Sequence, residues 1–414
     1  MLPLLDELTW RGLLAQHSEG LKEALEKGRL SAYAGFDPTA SSLHVGSLIP
    51  VMGLMHLQRA GNKPFIVVGG GTGLIGDPSG KTVERQLHTA ETVEENVRGI
   101  KSQLEKFLDF AGPNAAEMRN NADWLTKLGA IDFMRDVGKH FTVNYMMAKD
   151  SVQGRMEAGI SYTEFSYMLL QAYDYRELYR RDGVTLQCGG TDQWGNITAG
   201  LELIRRTDGG EAHALTFPLV TNASGTKFGK TESGSVWLDP ERTSPYQFYQ
   251  FWINVDDRDV VRYLKFFTLL SRDEIDSMDR EVSDRPQERA AQRALAREVT
   301  TRVHGSSSAQ IAEEVSRLLF AKGDPQTLSA DALAALSREV PFAKVDSIAN
   351  AVDALVALGL APSKGAARRL VDQGGVTVNG ARVSSALDPL GNALGDGFYL
   401  IRKGSRDYGL LKTG

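Results

Sequence analysis

Two hydrophobic rhythms alternate over roughly the first 220 residues. From Ser31 a short apolar run, Ala32 to Phe36, gives way to a periodic amphipathic stretch from His44 to Ala60, and then to a second apolar run, Pro64 to Val68, that leads into glycines. Short apolar runs separated by a helix-period segment indicate βαβ units. Further strand candidates, Thr185 to Cys188 and Ala214 to Val220, lie beside helical patterns over Tyr162 to Tyr173 and Asn196 to Arg205. The pattern predicts an α/β fold: a Rossmann-like doubly wound catalytic domain over residues 1–220, with ligands beyond the carboxyl ends of its strands.

Residues 221–320 pass from a Gly/Ser/Lys loop into helices over Thr243 to Trp252, Asp257 to Thr268 and Gln287 to His304, a helical second domain. Gly323, Pro325 and Pro341 interrupt weakly periodic residues, so 321–347 reads as a partly mobile linker. Residues 348–414 read as a small α+β module.

Composition narrows the class. A chain of 414 residues is too long for one ordinary core, and 42% hydrophobic with 24% charged residues is a globular balance. No apolar run is long enough to cross a bilayer, and Met1 to Arg11 lacks the apolar block of a signal peptide, so the expected location is cytoplasmic. The single cysteine, Cys188, excludes an intramolecular disulfide and is expected in the core; no metal site is expected. The net charge of -5 argues against a protein coated in nucleic acid, but residues 351–414 carry eight Lys or Arg against five Asp, a local +3 on an acidic body.

Several glycine motifs invite nucleotide readings. Gly69 to Gly76 contains GxGxxG after a strand, yet it runs straight into Asp77-Pro78-Ser79-Gly80, where Pro78 and Gly80 break the helix that a dinucleotide fingerprint requires. The two Gly-Lys-Thr triplets, at Gly80 and Gly229, are each one residue short of a P-loop.

The informative cluster is Gly35-Phe36-Asp37-Pro38-Thr39 followed by His44-Val45-Gly46-Ser47, where a strand end meets a helix start. Backbone N–H groups and the helix dipole there favour a polyphosphate; His44 can donate to a phosphate oxygen, and Gly46 allows close approach of an adenosine. A lone histidine in such a place is usually a surface or satisfied core residue; its partners change the reading. Lys227-Phe228-Gly229-Lys230-Thr231 puts two cations and a hydroxyl on a glycine-hinged loop, suited to charge developing on a leaving pyrophosphate.

At this point the sequence resembles the class I aminoacyl-tRNA synthetases, the first cluster being similar to their HIGH signature and the loop to their KMSKS signature. The resemblance narrows to the bacterial-type tyrosyl-tRNA synthetase family through Tyr33 to Thr39, Thr72 to Lys81, Phe165 to Asp174 and Gly189 to Asn196, and covers nearly the whole chain. It implies ATP, L-tyrosine and tyrosine tRNA as partners, a homodimer, an anticodon-binding role for the helical domain, and Mg2+ arriving with ATP but no tightly bound cofactor.

By the same resemblance, Tyr33 and Asp174 meet the tyrosine phenol, and Asp77, Tyr167 and Gln171 surround its ammonium group. The chemistry agrees, since a buried carboxylate accepts a phenol proton and three oxygens satisfy an ammonium. Tyr167, Gln171 and Asp174 are spaced so that one helix presents all three to one pocket. Gly35, Asp37, Gly46, Ser47 and Asp192 are implied at the adenylate, Gln193 at the reacting carboxylate, and Thr39 and His44 at the γ-phosphate opposite Lys227, Lys230 and Thr231. Ser47, Ala34 and Pro50 depart from the commonest family pattern, all where the family touches ribose, and imply altered ATP binding with retained activity.

The segments Leu360 to Val371 and Gly374 to Gly380 resemble the S-four RNA-binding module of a small-subunit ribosomal protein, with Lys364, Arg368 and Arg369 placed for a phosphate backbone. An RNA-binding protein that merely kept the scaffold is expected to lose the ATP signatures, and His44, Asp192, Lys227, Lys230 and Thr231 all remain.

Overall fold

The structure, a computed structural model, describes residues 3–414 apart from Pro78, 80–87, 157–158, Ser224, 226–227, 232–233 and Lys322, and apart from the side chains of Asp150, Ser151, Arg155, Lys230 and Thr231. The chain forms two compact units, one of residues up to 243 with 255–295, the other of 244–254 with 296–414.

The first unit is built on a six-stranded sheet of β1 (Gln16–His17), β2 (Ser31–Phe36), β3 (Lys63–Val68), β4 (Glu117–Asn120), β5 (Leu186–Gly190) and β6 (His213–Phe217), in the order β1-β6-β5-β2-β3-β4. All neighbours run parallel except β1, which caps β6 antiparallel. A parallel sheet covered on both faces demands apolar strands, and β3 and β6 are buried along almost their whole length. Chain order reverses between β2 and β5, the switch point of a doubly wound sheet, and the loops beyond those two carboxyl ends carry Asp37 and Asp192. The expected doubly wound α/β fold is present. Cys188 lies buried in β5, where burial raises its thiol pKa.

Two long helices carry the site's other wall. Tyr162–Asp182 starts where Ser161 Oγ accepts from the Glu164 N–H at 3.2 Å, and ends at Gly183, which takes φ 64°. It packs against Trp194–Asp208, sharing a core of Met168, Leu169, Ala172, Ala199 and Leu203. The helix Leu48–Arg59 is buried on nearly every side, because it lies against the sheet with Gly53 directly over the Phe217 ring.

The second unit holds a sheet of β9 (Phe342–Val345), β10 (Val376–Val378), β11 (Ala381–Arg382), β12 (Phe398–Lys403) and β13 (Asp407–Thr413), ordered β11-β10-β12-β13-β9. β10 and β11 are joined by Asn379-Gly380, both at positive φ, as a two-residue hairpin requires. One face packs Ile401 and Leu411 against the helices Ala351–Ala357 and Lys364–Asp372. The other packs Phe398, Leu400 and Leu410 onto Val315, Leu318, Leu333 and Leu336.

These units cut across the expected boundaries at 220, 320 and 347. The stretch expected to be a linker carries the helix Ala330–Leu336, and β9 pairs in parallel with β13. The helix Asp257–Phe267 belongs with the first unit, since Phe266 and Phe267 are buried there and Arg11 donates to the carbonyls of Lys265, Thr268 and Leu270. Burial of apolar faces, invisible to a count of glycines and prolines, sets the division. Among the described residues no helix is long and apolar enough to cross a membrane.

Candidate active site

Tyr33 sits in the middle of β2, 2% exposed, and its hydroxyl has no hydrogen-bond partner among the described residues. Burial, then the nearby Asp174 carboxylate, raise its pKa well above the ordinary phenol value. Asp174, on the Tyr162–Asp182 helix, is also buried; its Oδ2 accepts from Asn121 Nδ2 at 2.9 Å and its Oδ1 from Trp124 Nε1 at 2.6 Å. Desolvation pushes its pKa up to about 7 although both hydrogen bonds pull it down. Each carboxylate oxygen takes one bond here, so acceptor capacity remains. A buried phenol donor thus faces a buried carboxylate acceptor.

Asn121 and Trp124 were not singled out from the sequence. Asn121 follows β4, accepts from the Gly71 N–H at 2.8 Å and so ties the glycine loop to Asp174. The available signal was a polar pair closing a short run before a tryptophan, Asn120-Asn121-Ala122-Asp123-Trp124, without a pattern to mark it.

A second polar cluster lies further along. The Tyr167 hydroxyl donates to Asp37 at 3.3 Å, as does Thr72 Oγ1. Burial and then Asp37 raise the Tyr167 pKa well above the ordinary value. Asp77, nearly buried, accepts from the Ser79 N–H at 2.9 Å and from Gln193 Nε2 at 2.7 Å. Asn196 Nδ2 lies 3.1 Å from Gln171 Oε1 and 3.2 Å from Gln193 Oε1, orienting both amides. Asn196 closes the segment Gly189 to Asn196, and its side-chain amide links the two glutamines. The glycines of the 69–76 segment serve this packing: a Cβ on Gly69 would lie 2.7 Å from Asp37 Oδ1, and the next described helices are the short Thr72–Leu74 turn and Ala90–Leu104 rather than a helix opening on the last glycine.

The third cluster joins the two signatures. His44 caps the short turn Val45–Ser47, with Nδ1 accepting from the Gly46 N–H at 3.0 Å. Strand-like pairing runs outward from it, with Val45 N–H donating to Val236 O at 3.0 Å and Val236 N–H to Gly229 O at 3.1 Å. Gly229 has φ 81° and sits close over Val45, so a Cβ there would lie 2.6 Å from Val45 Cγ2. Phe228 anchors the loop by packing between Tyr263 and Phe267. Lys227 lies outside the described residues; Lys230 and Thr231 form β7, paired with β8 (Gly234–Ser235), and their side chains are outside the description. Gly35 and Thr39 are exposed beside Asp37, Ser47 opens the Leu48–Arg59 helix, and Asp192 lies in the turn Thr191–Gln193 after β5. Pro50 is the third residue of its helix, where no intrahelical N–H bond is lost.

In the second unit Lys364 pairs with Asp353 at 2.7 Å, while Arg368 and Arg369 are exposed on the same helix. Among the described residues no group of three His, Cys, Asp or Glu could hold a metal ion.

A doubly wound sheet whose switch point brings a histidine-glycine turn into register with a lysine loop defines a class I aminoacyl-tRNA synthetase. The profile of tRNA synthetases class I (W and Y) matches residues 25–321, and that of the tyrosine--tRNA ligase SYY-like C-terminal domain matches 332–411. The tyrosine--tRNA ligase of Anaeromyxobacter dehalogenans is 55% identical over the full length of both chains, and that of Roseiflexus castenholzii 54%. A C-terminally truncated mitochondrial tyrosyl-tRNA synthetase of Aspergillus nidulans superposes with a TM-score of 0.69 at 30% identity, covering 77% of this chain and 95% of its own. The chain belongs to the bacterial-type tyrosyl-tRNA synthetase family.

Proposed function

We propose that the chain activates L-tyrosine with ATP, releasing pyrophosphate, and then esterifies the tyrosyl group to the 3′ end of its tRNA. The observation that carries the tyrosine reading is the buried Tyr33 hydroxyl beside the buried Asp174 carboxylate. Tyr33 donates to the substrate phenol and Asp174 accepts from it. Asp77, Tyr167 and Gln171 take the ammonium group, which leaves the substrate carboxylate near Gln193.

That carboxylate is already ionised and needs no general base. It attacks the α-phosphorus, the bond to the bridging oxygen breaks, and the electron pair leaves with pyrophosphate. Catalysis is positioning plus electrostatics. Gly35 and Gly46 let adenosine approach closely, and Asp37, Ser47 and Asp192 bind around the nucleoside. Thr39 and His44 hold the γ-phosphate from one side while Lys227, Lys230 and Thr231 close on it from the loop. Mg2+ enters as part of the substrate MgATP. In the second step a terminal ribose hydroxyl of tRNA attacks the carbonyl carbon and AMP departs.

The enzyme acts in the cytoplasm as a homodimer. The exposed apolar side chains Ile131, Met134, Val143 and Tyr162, all in the first unit, support a protein-covered surface there. Helices of the 221–320 region meet the anticodon arm, and Lys364, Arg368 and Arg369 the tRNA backbone. Incubating the purified chain with tRNA, ATP and labelled tyrosine tests the whole reading: an alkali-labile tyrosyl ester on tRNA is expected, and its absence alongside intact folding would sink the assignment.

A further inference from the structure

Trp237 has no part in the mechanism above, yet it is built into the same pairing. It forms an antiparallel bridge with His44, and Leu238 N–H donates to Leu43 O at 2.9 Å beside it. Its own N–H donates to Oγ1 of the buried Thr243 at 3.0 Å, so the backbone is tied on both sides. The indole meets the His44 imidazole edge to face, with centroids 6.2 Å apart and planes at 72°. Arg242 lies over the indole, its Cζ 3.4 Å from the ring centroid. An arginine stacked this closely adds cation–π attraction and limits rotation of the indole.

The Gly46 N–H bond fixes one edge of the imidazole and leaves its proton on Nε2, the atom that would donate to a phosphate. The neighbouring indole, edge to face with the imidazole, restricts the plane in which the ring lies. We propose that Trp237, clamped by Arg242, is a positioning residue that sets the His44 ring plane and so aims Nε2–H at the ATP phosphates. The proposal rests on the reading of His44 as a phosphate ligand.

Rapid-quench single-turnover formation of tyrosyl-adenylate, with tyrosine affinity measured separately by equilibrium dialysis, tests it in the full-length protein. Trp237→Leu is expected to slow adenylate formation by about tenfold or more, since small misplacement of a catalytic group costs up to about a hundredfold. Tyrosine affinity stays within about twofold, and Trp237→Phe, which keeps a ring for both neighbours, recovers most of the rate. In a His44→Asn background Trp237→Leu should add less than about twofold, because its effect runs through the histidine. Losses that multiply in the double variant, or equal losses for the phenylalanine and leucine variants, would overturn the proposal. Should Trp237→Leu not fold, the exposed Arg242→Met gives the same reading: slower in the wild-type background, neutral beside His44→Asn, with equal slowing in both backgrounds as the contrary result. A normal rate for His44→Asn itself would overturn both this proposal and the assignment of His44 beneath it.

Discussion

At Asp174 burial and hydrogen bonding oppose one another, and burial wins, lifting the carboxyl from 3.8 to about 7. The fold therefore prefers the protonated acid. A folded pKa above the unfolded value gives stability that is fully present below about pH 3.8 and is lost as pH rises through about 7. Asp174→Asn removes that loss while keeping the shape, so the ligand-free variant should gain melting temperature over wild type as pH goes from 5 to 8, by an amount worth roughly a few kcal/mol. A gap that does not change with pH would contradict the burial account. Part of this scale was legible: the spacing of Tyr167, Gln171 and Asp174 puts all three on one helix, as the structure has them. Asn121 and Trp124 were not legible, because what marks them is a hydrogen bond to Asp174 across 50 and more residues of chain.

Elements are positioned by glycines acting as spacers rather than as phosphate cradles. Gly53 lets the Leu48–Arg59 helix settle on the Phe217 ring of β6, and that seat fixes where the His44 turn begins. A methyl group at Gly53 overlaps the ring, so Gly53→Ala should lower stability by about 1–3 kcal/mol in urea unfolding, the usual cost of overpacking. An unchanged midpoint would show that the helix does not seat there. The strands β2, β3, β5 and β6 were expected within a few residues, since buried parallel strands read as continuous apolar runs. β1 and β4 escaped because they are short edge strands, β1 exposed and β4 half-buried, with mixed side chains.

Over the whole molecule the domain boundaries were the least legible feature. The sheet of the second unit buries both faces, one on its own helices and one on Val315, Leu318, Leu333 and Leu336, which no local pattern reveals. A chain ending near Ser347 would strip those residues of Phe398, Leu400 and Leu410, so point substitutions test RNA binding more cleanly than truncation. Arg368→Gln with Arg369→Gln should weaken tRNA binding and flatten its log–log salt dependence by about one to two, while leaving adenylate formation unchanged. Equal salt slopes for variant and parent would remove both arginines from the interface.

On the function proposed above, one pocket selects tyrosine and activates it with ATP. ATP–pyrophosphate exchange measured with each of the twenty amino acids in turn tests this most directly. Tyrosine should support rapid exchange, and phenylalanine very little, since it leaves the buried Tyr33 hydroxyl without a partner and gives the remaining acceptor capacity of Asp174 no donor. Exchange at comparable rates with phenylalanine or tryptophan, or none with tyrosine, would contradict the account.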